Sequence, residues 1–176
     1  MSALQRLHGY LTERHVPHAL IGGHALAARG HARFTLDVDI LTTDKNVLQE
    51  EFWTALRDDG GDVAIRAGDA DDPLRGVVRI TLPDGGMADI VIGKYRWQQD
   101  LIERADLLNI GDVTVLVPRS SDLILLKLFA GGPQDLADIR AILETAGRDA
   151  IAAEVRTHLT VLPADCTNTF DELTRI

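Results

Sequence analysis

The sequence predicts a mixed α/β (α+β) fold: a mixed β-sheet flanked by helices, followed by a helical C-terminal part. Three observations carry that prediction. Short aliphatic runs bounded by glycine, proline or aspartate recur at 19–21, 38–41, 77–82, 87–92 and 113–117, which is the pattern of strands. Segments with apolar residues at helical spacing lie before, between and after them. Strand-like runs then stop after Val117, and the remaining apolar patterns are helical. The chain therefore divides into a core over residues 1–118 and a helical C-terminal subdomain over residues 119–176.

Leu4, Leu7 and Leu11 place one apolar stripe on a helix from Ala3 to His15, which Pro17 stops. Ala19-Leu20-Ile21 is a short buried strand ending at Gly22-Gly23, and a short helix leads on to Gly30. A second strand carries Asp37-Val38-Asp39-Ile40-Leu41. Thr42 or Thr43 caps a helix whose apolar side is Val47, Leu48, Phe52, Ala55 and Leu56, and Gly60-Gly61 ends it. Residues 62–66 read as a strand and 68–73 as a solvated loop, whose aspartates lack the spacing and closing glutamate of a calcium loop. Val78, Ile80 and Leu82 alternate with Arg79 and Thr81, and Pro83-Asp84-Gly85-Gly86 turns the chain into a return strand, 87–92, that contains Asp89. A helix over 95–105 and a hairpin, 107–110 with 113–117, complete the core.

Ser120-Ser121-Asp122 opens a helix that is apolar nearly all round and hence buried, yet includes Lys127. Pro133 starts the next helix, with Asp135 in its first turn and Leu136, Ile139 and Leu143 on one side. One or two helices follow Asp149, and the tail from Cys166 is polar.

Composition narrows the function. With 27 acidic and 18 basic residues the net charge is −9, which disfavours a broad polyanion-binding surface, since such surfaces work by neutralising phosphates. No apolar run reaches the roughly 18 residues of a membrane span, and residues 1–6 contain no signal-peptide core. The single Cys166 excludes an internal disulfide and a cysteine zinc site. A cytoplasmic protein with no membrane partner is the expectation.

The chemistry concentrates between Gly22 and Asp39. Asp37 and Asp39 stand at i and i+2, so both carboxylates share one face of a strand flanked by Leu36, Val38, Ile40 and Leu41. Two like charges beside a core suit a bound hard cation such as Mg2+. The glycine pair leads a strand into a helix, where exposed N–H groups and absent side chains admit a phosphate. Asp89, alone in an aliphatic strand, is a third carboxylate. Three such groups suit the two-metal arrangement for in-line displacement at phosphorus.

Taken in order, Gly22-Gly23, thirteen residues, Asp37-x-Asp39 and a later strand aspartate resemble the nucleotidyltransferase-fold superfamily, the polymerase-beta-like enzymes. Gly22-Gly23-His24-Ala25, the segment 33–39, and Asp122 to Lys127 followed by Asp135-Leu136-Ala137-Asp138-Ile139 further resemble the small bacterial AbiEii toxin-type nucleotidyltransferases, over about residues 18–145. The resemblance implies transfer of a nucleoside monophosphate from an NTP, ATP among them, with two Mg2+ ions and release of pyrophosphate. It implies Asp37, Asp39 and Asp89 as catalytic metal ligands, with Asp89 also a base. Gly22, Gly23, Arg33, Thr35, Lys127 and Asp135 fall on the nucleotide-binding side, and the partner implied is an antitoxin protein. The acceptor stays open among an RNA end, a protein hydroxyl and a small molecule such as an antibiotic. A catalytically silent module binding a nucleotide or a protein partner is the alternative.

Overall fold

The computed structural model describes residues 2–31, 35–144 and 147–175. It divides into two compact units, Met1–Val117 and Pro118–Ile176. Unit 1 holds helix α1 (Ala3–Glu13), strand β1 (His18–Ile21), helix α2 (Gly22–Ala28), strands β2 (Val38–Thr42), β3 (Asp62–Ala67), β4 (Leu74–Thr81) and β5 (Met87–Gly93), helix α4 (Arg96–Glu103) and strands β6 (Asp106–Ile110) and β7 (Val113–Val117), with a short helix α3 (Thr54–Asp58) before β3.

Five strands form one mixed sheet in the order β1-β2-β5-β4-β3. β2 and β5 run parallel at its centre, and the other neighbours are antiparallel. Alternation sorts the faces. Val38, Ile40, Val78, Ile80, Ala88, Ile90 and Ile92 are buried and point one way, while Asp39, Arg79 and Asp89 point the other. β6 and β7 pair separately as a hairpin, turning at Gly111 with φ +59°.

The helix expected from Thr42 or Thr43 through Leu56 is instead two 3-10 turns, Lys45–Leu48 and Glu50–Trp53, running into α3. Asp44, rather than either threonine, caps the first by accepting from the Asn46 N–H at 2.9 Å. The break is at Gln49, whose ψ of 135° is extended. The buried Trp53 indole explains it: its Nε1–H donates to the Val47 carbonyl at 2.7 Å, an acceptor that an uninterrupted helix would use for its own ladder. The polar loop 68–73 is tied down by Lys94, whose ammonium donates to the carbonyls of Ala70 at 2.6 Å and Asp72 at 3.0 Å.

Unit 2 is helical: α5 (Ser120–Ala130), α6 (Pro133–Leu143), α7 (Arg148–His158), a 3-10 turn and α8 (Ala164–Thr174). Gly131, at φ +68°, ends α5 in the left-handed conformation that glycine adopts without penalty. The polar tail is a helix because Cys166, Phe170 and Leu173 lie one turn apart and are buried. Among the described residues, no helix is long and apolar enough to cross a membrane.

Candidate active site

β2 and β5 bring two of the three sequence-predicted carboxylates together. Asp39 and Asp89 are direct register partners across the parallel pair, on the same face of the sheet, and both are half-buried. Asp37 precedes β2 in a bend. Its Oδ1 is buried and has no hydrogen-bond partner among the described residues. A buried, unpartnered carboxylate oxygen is costly unless a cation or donor meets it.

The glycine bend adjoins this pair. Ile21 is the register partner of Asp39 on the other side, and Gly22 follows with φ +66°. A Cβ on Gly22 would overlap the Asp39 carboxylate, and a Cβ on Gly23 would sit 2.7 Å from the Thr35 side chain. The two glycines therefore let Asp39 and Thr35 approach the bend, whatever else they admit. Thr35 Oγ1 donates to the Asp37 carbonyl at 3.3 Å, which ties the segment before β2 to itself.

Arg79, absent from the sequence-based set, extends the row. It is the β4 register partner of Asp89. Its Nε donates to Asp89 Oδ1 at 2.9 Å and its Nη2 to Oδ2 at 2.8 Å, a two-armed clasp. Hydrogen bonding and charge attraction from Asp89, with a further contribution from Asp37, push the guanidinium pKa above its ordinary value. One row across the five strands thus reads Ile21, Asp39, Asp89, Arg79, Ala64. Arg79 was legible in principle: with Thr81 paired to Met87 across the 83–86 turn, register alone puts it opposite Asp89.

Among the described residues, no set of three or more histidine, cysteine, aspartate or glutamate side chains converges to enclose a metal ion as placed. The donor set nonetheless fits a hard divalent cation at Asp37 and Asp39, because the Asp37 oxygen is unpartnered and carboxylates are its preferred ligands. Both oxygens of Asp89 are engaged by Arg79.

Arg33 is outside the described residues. Lys127 belongs to unit 2, where its side chain is 11% exposed and its Nζ meets Asp135 Oδ1 at 2.8 Å and Asp138 Oδ2 at 2.7 Å. Asp135 also accepts from the Gly132 N–H, and Asp138 from Gln134 Nε2. Asp138 was the partner that sequence reasoning missed. It sits three residues after Asp135 on the same helix, the spacing at which both can meet one ammonium.

By sequence, no curated protein matches the chain. Among solved structures, the solution structure of the antibiotic-resistance factor ANT(2'')-Ia is similar with a TM-score of 0.58 at 13% identity, covering 89% of each chain. Lincomycin-bound LnuA, a lincosamide antibiotic adenylyltransferase, is similar with a TM-score of 0.53 at 15% identity, covering 81% of this chain and 96% of that one. ANT(2'')-Ia in complex with adenylyl-2''-tobramycin is similar at 0.50 and 16% identity, covering 97% and 94%. At such identities the likeness is one of fold, and the fold is that of nucleotidyltransferases. Residues 3–146 match the family described as "Nucleotidyltransferase of unknown function (DUF6036)". That match spans most of the chain, so the protein belongs to this nucleotidyltransferase family and is a transferase of nucleotidyl groups.

Proposed function

We propose that the chain transfers a nucleoside monophosphate from an NTP to a hydroxyl of a small-molecule acceptor, with Asp37, Asp39 and Asp89 as its acidic centre. The observation that carries this reading is the pairing of Asp39 with Asp89 on one face, with the Gly22 bend against Asp39. Asp37 and Asp39 would hold Mg2+, joined by Asp89 for a second ion. Such cations, when bound, offset the charge of the triphosphate and of the reacting oxygens. Gly22 and Gly23 let Asp39 and Thr35 close on the bend, beside which the triphosphate would lie, and Thr35 ties the segment before β2 to Asp37. Asp89 takes the proton from the acceptor hydroxyl. The acceptor oxygen bonds to the α-phosphorus, and the bond from that phosphorus to pyrophosphate breaks.

A small acceptor is supported by two observations. The fold is shared with an adenylyltransferase of a lincosamide antibiotic and with ANT(2'')-Ia, solved with an adenylyl-tobramycin, and the net charge of −9 disfavours long RNA contacts. A toxin of the AbiEii type, paired with an antitoxin and labelling an RNA end or a protein hydroxyl, is favoured by the motif resemblance over residues 18–145.

The test is incubation with each labelled NTP and Mg2+, with and without a chelator, against separate pools of hydroxylated small molecules, RNA and protein. Chelator-sensitive label in the small-molecule pool is the expected result. Label in RNA or protein moves the reading to the toxin type. Tight nucleotide binding with no labelled product overturns catalysis and leaves a binding module.

A further inference from the structure

We propose that Arg79 is a positioning residue that competes with a divalent cation for Asp89, so that the third carboxylate joins the centre only by exchanging a guanidinium for a metal ion. This rests on the reading of the acidic centre given above. Nothing in the family match or in the structural neighbours assigns Arg79 a role.

Three observations carry the inference. The clasp is two-armed, so Arg79 uses both oxygens that a metal would need. It also holds the Asp89 carboxylate in one orientation, toward β4, whereas Asp39 lies on the opposite side of Asp89, on β2. Finally, the Arg79 side chain is 70% exposed while Asp89 is 21% exposed. The arginine can therefore swing into water, and the carboxylate stays. An exposed ion pair is weak and screened by salt, so release is cheap. A hard divalent ion prefers carboxylate oxygens and carries twice the charge.

Arginine suits this role better than lysine. Its guanidinium is always protonated and matches a carboxylate with two parallel donors. It supplies one fixed positive charge beside Asp89 and near Asp37, which offsets the repulsion among three acidic groups. The cost is lowered affinity of the centre for a free cation.

The experiment is Mn2+ titration, followed by calorimetry and electron paramagnetic resonance, on the full chain and on Arg79→Gln, Arg79→Lys, Asp89→Asn and the Arg79→Gln/Asp89→Asn pair. Arg79→Gln should bind Mn2+ about three- to tenfold more tightly than wild type, the size of effect that loss of one exposed competing charge produces. Arg79→Lys, which keeps the charge and loses the clasp, should fall between. In the Asp89→Asn background the effect of Arg79→Gln should shrink to the small remainder left by its charge near Asp37. A structural role alone would change the melting temperature of Arg79→Gln and leave its Mn2+ affinity where it was, and that result overturns the proposal. So does an effect that keeps its full size without Asp89. Wild type that binds Mn2+ in a manner abolished by Asp37→Asn sustains the acidic centre even if the Arg79 proposal fails. Absence of Mn2+ binding in every variant overturns both.

Discussion

Gly22 lies directly against Asp39: a Cβ built on the glycine falls not only on the carboxylate but 2.8 Å from Asp39 Cβ. The backbone there is at φ +66°. Two independent constraints thus act on one residue, a left-handed conformation and a close approach. The aspartate cannot escape by rotating its carboxylate, because its own Cβ is part of the conflict.

Gly22→Ala should therefore cost more than a change at a glycine constrained by φ alone. Gly30 is the control: its φ is +87° and a Cβ there meets nothing within 4 Å. Left-handed backbone costs a non-glycine residue about 1–2 kcal/mol, and overpacking adds about 1–3 kcal/mol. Urea unfolding should show Gly22→Ala less stable than Gly30→Ala by at least about 1 kcal/mol. Equal losses would show that contact with Asp39 does not matter.

Asp37→Asn should separate activity from stability. Its Oδ1 is buried without a partner among the described residues, so the charge is not holding the fold through a hydrogen bond of that atom. Nucleotidyl transfer from labelled NTP should fall at least about 100-fold, as for loss of a group that stabilises transition-state charge. Unfolding free energy should stay within about 1 kcal/mol of wild type. Transfer at wild-type rates in this variant would remove Asp37 from the centre.

His8 and His18 make stability depend on pH. His18 Nδ1 is 2.7 Å from the Val16 carbonyl, which only accepts, so that nitrogen carries the proton. His18 Nε2 is then the acceptor for His8 Nδ1 at 2.8 Å. Burial lowers the pKa of both rings below the ordinary 6.5. A histidine whose folded pKa is lowered binds fewer protons folded than unfolded. Stability is therefore full above 6.5 and is lost as the pH falls from 6.5 toward the folded pKa values. Urea midpoints should decline between pH 7.5 and pH 5.5, and His18→Gln should flatten that slope. An unchanged slope in His18→Gln would assign the loss to other groups.

Lys127→Met tests whether the Lys127 ammonium holds unit 2 together or serves a phosphate. Asp138 is 5% exposed, so Lys127→Met takes a cation from a buried carboxylate. Breaking such a pair typically costs about 3–5 kcal/mol. The variant should lose stability of that order, and Lys127→Met/Asp138→Asn should recover much of it. Wild-type stability with weakened NTP binding would favour the phosphate role instead.

Particular residues show what could be read in advance. Asp39 and Asp89 stand out because carboxylates between aliphatics in a strand conflict with burial, a conflict visible in one dimension, whereas Asp37, expected on the same strand as Asp39, lies in the bend before β2. The β4–β5 hairpin was readable too, since turn residues and alternation set its register. The two 3-10 turns over 45–53 were not. Their apolar residues satisfy a helical period, and it is the hydrogen bond from Trp53 to Val47 that breaks the ladder. One or two helices were expected after Asp149, and both α7 and α8 form; the bounds of α8 were not legible because three buried side chains among eight others make a weak period.

Local chemistry by itself determined that this chain forms strands interrupted by a glycine bend, and that acidic groups gather along two of them, because alternation and backbone freedom are properties of neighbouring residues. Tertiary structure alone decided which side chains meet. The parallel pairing of β2 with β5 joins residues 50 positions apart and sets Asp39 beside Asp89. Hydrogen-bonded partners then took up Asp89 with Arg79, and Lys127 with Asp135 and Asp138. A charge near a core must find its counter-charge in space, and the linear order of residues does not say which one that is.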